Sequence, residues 1–131
     1  MSRRRKTGFG PAALVTVVGV AVVWAAAVDG LWWAPLLAGF VIGVILRGGR
    51  AIVATAGLVA VLGWALPLAW QALHSPIGKV ATVVAGILGL GTTRGPVVIV
   101  VMLALALLLG LAGAWVGAAL RRLIVPPRPV L

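Results

Sequence analysis

The residues able to do chemistry are few and lie far apart. In 131 residues there is one histidine, His74, one acid, Asp29, two serines, Ser2 and Ser75, and no cysteine, glutamate, tyrosine or asparagine. A metal centre needs three or four converging ligands, and a single imidazole with a single carboxylate cannot build one. Neither serine sits in a nucleophile elbow or next to a base in sequence, so nucleophilic catalysis has no starting point. The glycine-rich run GILGLGTTRG (86–95) superficially suggests a phosphate loop, but it lacks the closing Gly-Lys-Ser/Thr and follows a helical pattern, not a strand. Its glycines read better as helix stops. His74 beside Ser75-Pro76 reads as an interfacial helix end. Asp29-Gly30 reads as a turn between two apolar runs, with the carboxylate free to pair with Lys79 or Arg94. The chain is therefore expected to be no enzyme and to hold no metal or cofactor.

The elements that carry these residues are apolar. The composition is 63% hydrophobic with a mean hydropathy of +1.26, far more apolar than a water-facing surface permits. The expected fold class is an all-α integral membrane protein. Four spans are expected at 11–28, 31–46, 51–73 and 96–120, forming an up-down bundle. A fifth, shorter helix at 76–90, lying flat or re-entrant, falls between spans three and four; its ~22 Å is too short for a ~30 Å hydrocarbon core. A basic arm (1–10) precedes this single transmembrane domain (11–122), and a Pro-rich tail (123–131) follows it. The start also has the look of a secretory signal, with a basic head, an apolar stretch and Ala25-Ala26-Ala27. Against cleavage, the second span follows too closely to leave room for an exported domain.

Charge selects the topology. Four spans with the N-terminus inside place Arg3, Arg4, Arg5, Lys6, Arg47, Arg50, Arg121, Arg122 and Arg128 on the cytoplasmic side and only Lys79 and Arg94 outside. Five spans would weaken this nine-to-two bias to seven against four, so the positive-inside rule favours four, with both termini cytoplasmic in the plasma membrane of a prokaryote. Arg47, Arg50, Arg121 and Arg122 are the expected inner anchors, and Trp24, Trp32, Trp33 and Trp70 the outer ones. The net charge of +10 then serves anionic lipid headgroups at the cytoplasmic face, and no nucleic acid is expected as a partner.

Inside the spans the polar side chains are Thr16 and Thr55, with Gln71 and tryptophans towards the interfaces. No ionisable group lies there, which argues against proton or ion passage by side chain. What stands out is small residues at helical spacing: Ala106, Gly110, Gly113 and Gly117 on the last span, and Gly39 and Gly43 on the second. Such stripes let helix backbones approach closely, either within one bundle or against another chain. The leading expectation is a structural or accessory subunit, packing through these faces with itself or with other membrane chains. The alternative is an oligomeric channel or carrier in which residues 75–95 form a re-entrant segment.

Overall fold

The computed structural model describes residues 10–125, with side chains from Ala13 onward; the arm before Gly10 and the tail from 126 lie outside the described residues. Five helices and no strand occur among them: α1 Pro11–Val28, α2 Ala34–Ile45, α3 Gly49–His74, α4 Ile77–Ile87 and α5 Gly95–Ile124. Two of them, α3 and α5, are long and apolar enough to cross a membrane; α1, α2 and α4 are shorter apolar helices.

The stops are backbone chemistry. At the end of α1 the Gly30 N–H bonds Ala27 O and the Leu31 N–H bonds Ala26 O, with Gly30 at φ +78. This pair of bonds satisfies the last carbonyls and needs a left-handed residue, which glycine supplies. The same arrangement ends α4: the Gly89 N–H bonds Gly86 O, the Leu90 N–H bonds Ala85 O, and Gly89 has φ +75.

Several boundaries differ from expectation. Leu31, Trp32 and Trp33 belong to the turn, so α2 begins only at Ala34 and has 12 residues, about 18 Å. Arg50 is helical, because α3 starts at Gly49; the connection from α2 shrinks to Leu46–Gly48, with Gly48 at φ +100. Ser75 caps the C-terminus of α3, its N–H bonding Gln71 O at 2.7 Å, whereas the residue before α4 is Pro76 and makes no side-chain cap. Pro67 is buried within α3, which remains one helix through it. The last helix runs on past the apolar stretch, so Arg121 and Arg122 form its final turn and Leu123 and Ile124 are helical rather than tail. Two cations there complement the negative end of the helix dipole.

Contacts between helices set the directions. Gly19 faces Val59 and Gly63 faces Val23, so α1 and α3 run the same way. Gly39 faces Gly110 and Ala114, and Gly43 faces Ala114 and Ala118, so α2 and α5 run the same way. The tight turns at 29–33 and 46–48 reverse the chain between these pairs. One end of the bundle therefore carries Asp29, Trp32, Trp33, Trp70 and His74; the opposite end carries Arg47, Arg50, Arg121 and Arg122. Helix α4 lies at the first end, and a cavity of about 320 Å³ there is walled by α4 together with Leu68 and Gln71 of α3 and Val98, Ile99 and Met102 of α5.

Candidate functional site

The small-residue stripes form a seam between α2 and α5. A Cβ built on Gly39 or Gly43 would collide with the carbonyl oxygen of Gly110 or Ala114 respectively; one on Gly113 or Gly117 would collide with that of Leu36 or Phe40. The pattern is reciprocal, since glycines of each helix face carbonyls of the other. Such close approach brings Cα–H groups towards carbonyl oxygens and lets dispersion act between backbones, the mode of association suited to a solvent as apolar as the side chains themselves. Gly110 is the junction: a Cβ built there would lie 3.8 Å from Pro35 O of α2, and 2.7 Å from Ala60 Cβ and 3.2 Å from Ala56 O of α3. Ala106 is buried as well, at 3% exposure. All six residues of the expected packing face are thus enclosed within one chain, and the seam is not a surface offered to another.

A second seam was not visible as a stripe. Gly19 lies 2.9 Å (as a built Cβ) from Val59 Cγ2, and Gly63 2.5 Å from Val23 Cγ1, so each valine of the α1–α3 pair fills the space left by a glycine. Single glycines in Ala/Val-rich helices carry no i+4 repeat, and only the pairing of Gly19 with Gly63 would have signalled the seam. Gly95 is a third such point, where the start of α5 meets α4: a Cβ built there would lie 3.0 Å from Thr82 Oγ1.

The expected anchors occupy the two ends. Trp24, Trp32, Trp33 and Trp70 are exposed, and Trp70 stacks on His74 with ring centroids 4.6 Å apart. His74 Nδ1 lies 2.9 Å from Trp70 O, so the only imidazole is engaged in its own helix end. Asp29 is exposed and makes no ion pair among the described residues. At the other end Arg47, Arg50 and Arg122 are exposed, while Arg121 is half-buried and donates through Nη1 to Leu46 O, the carbonyl of the C-cap residue of α2. No group of three His, Asp or Glu side chains occurs among the described residues. A wholly apolar groove of about 520 Å³ runs between α1 and α2, from Leu14 and Ile45 at the arginine end to Ala26 and Trp33 at the other.

No protein-family model, no curated protein and no solved structure matches the chain.

Proposed function

We propose that the protein is a small four-span membrane protein that acts as a structural or accessory subunit. The observation that carries this reading is the inversion of its packing. The buried cluster is made of Val23, Ile42, Ile52, Ala56, Val59 and Ala114, with glycine seams beside it, whereas Leu105, Leu108, Trp115 and Val116 of α5 are all more than half exposed. Only 28% of the most apolar window of α5 and 39% of that of α3 is buried. The core helix of a water-soluble domain buries its large apolar face; α5 buries mainly its small one, Ala106, Gly110, Gly113, Ala114 and Gly117. Helix α4 repeats the pattern on a smaller scale: Ala81 and Ala85 face the bundle, while Val80, Val83 and Ile87 point away. In a bilayer this arrangement is stable, because lipid covers large aliphatic groups at no cost and small residues let the helices close.

The alternating directions of α1, α2, α3 and α5 support four crossings, with the arginine end cytoplasmic and both termini there. The short α2 would require a locally thinned bilayer or help from the flanking turn. With the glycine seams consumed internally, contact with other chains falls to the exposed Leu, Val and Trp faces. Native mass measurement after extraction in mild detergent tests the subunit reading. The expected result is a multiple of the 13.3 kDa chain or a complex with a second polypeptide. A lone monomer, with no partner recovered from its own membranes, would overturn it. The competing reading, a channel or carrier using residues 75–95, rests on the exposed loop in which Gly89 and Gly91 have φ +75 and +89. Liposome flux that a Gly91→Val substitution abolishes would decide in its favour.

A further inference from the structure

The arginine end holds a feature that neither span-counting nor subunit packing requires. Between the C-termini of α2 and α5 lies a cavity of about 260 Å³, lined by Arg47 and Arg121 together with Val44, Ile45, Leu120, Ile124 and Val125. Arg121 is held in place by its bond to Leu46 O. Arg47 is exposed and makes no hydrogen bond or ion pair among the described residues. No acidic side chain stands beside this pair, since the only one in the sequence, Asp29, lies at the opposite end of the bundle. Among the described residues nothing supplies a counter-charge to it. The remaining walls are aliphatic, so the ligand that matches has an anionic head on an apolar body.

We propose that this cavity is a binding site for one anionic glycerophospholipid. Its phosphate would lie between the Arg47 and Arg121 guanidiniums, whose planar forks suit phosphate oxygens. Its acyl chains would run along Val44, Ile45, Leu120 and Ile124. Ile45 also walls the apolar groove between α1 and α2. The site selects anionic over zwitterionic lipid: a choline ammonium would enter a field of two guanidiniums with no acidic side chain beside them to receive it. The proposal rests on the reading of the chain as membrane-embedded with this end at the headgroups.

Native mass spectrometry of the full chain released from nanodiscs tests it, using equimolar phosphatidylglycerol and phosphatidylcholine. The expected result is a one-lipid adduct at least tenfold enriched in phosphatidylglycerol. Arg47→Gln, which removes no bond within the protein, should cut that enrichment at least fivefold, and Arg47→Gln with Arg121→Gln should abolish it. Arg50→Gln, outside the cavity, should leave it unchanged. Millimolar inorganic phosphate should not displace the adduct, because it lacks the chains. Equal adducts of both lipids, full enrichment in the Arg47→Gln protein, or displacement by phosphate alone would each overturn the proposal. Carbonate extraction separates the two readings. A chain released by alkaline carbonate is not embedded, and the membrane reading falls; a chain that resists carbonate yet shows no lipid preference sinks the lipid site alone.

Discussion

At the scale of single residues, the seams make glycine substitutions informative because neighbouring glycines differ in what they face. Gly39→Ala places a methyl group against the carbonyl of Gly110, and Gly113→Ala against that of Leu36, both backbone atoms that cannot rotate away. Each is expected to lower stability by about 1–3 kcal/mol, the usual cost of overpacking, or more where the helices cannot separate. Gly78→Ala in α4 meets nothing within 4 Å and should raise helix stability by about 0.5–1 kcal/mol. Unfolding in detergent, followed by circular dichroism, measures both signs; a neutral Gly39→Ala would mean that α2 and α5 do not touch as described. Arg121→Ala removes the donor to Leu46 O from a half-buried site and should cost about 1 kcal/mol, in part recovered by Arg121→Lys.

At the scale of helices, the seam between α2 and α5 was legible as a set of residues but not as a pairing. The stripes Gly39/Gly43 and Ala106/Gly110/Gly113/Gly117 are plain in the sequence, yet nothing there tells whether each meets its fellow or another chain. That depends on helix direction and on which neighbours are free, both set by the two short turns. Helix existence was readable because Asp29-Gly30 and Leu88-Gly89 are strong stops. Boundaries were less so: Trp32 and Trp33 continue the apolar run of α2 although they sit in a turn, and Arg121 and Arg122 end the apolar run of α5 although the helix does not end there. Hydropathy marks where the solvent changes, not where backbone hydrogen bonding stops. Helix α4 carries its own prediction. With Ala81 and Ala85 inward and Ile87 79% exposed, it should rest on the bundle with its large side in lipid. A Lys79→Cys protein should react with an impermeant maleimide and an Ile87→Cys protein should not, while a lipid-soluble reagent labels Ile87→Cys. Equal aqueous labelling of both positions would place α4 in water.

At the scale of the whole molecule, the bundle keeps glycine, alanine and a few β-branched side chains (Val23, Ile42, Ile52, Val59) within and turns most of its leucine, valine and tryptophan outward, with four arginines at one end. Among the described residues no ionisable side chain lies in the middle of α1, α2, α3 or α5. The most direct test of the central claim is cysteine accessibility in sealed membrane vesicles of known orientation, possible without background because the native chain has no cysteine. Ser2→Cys, Gly49→Cys and Val125→Cys should all label from the cytoplasmic face, and Ser75→Cys and Thr92→Cys only from the opposite face. Labelling of Ser2→Cys and Val125→Cys from opposite faces, or of every position from one face, would contradict the four-span bundle.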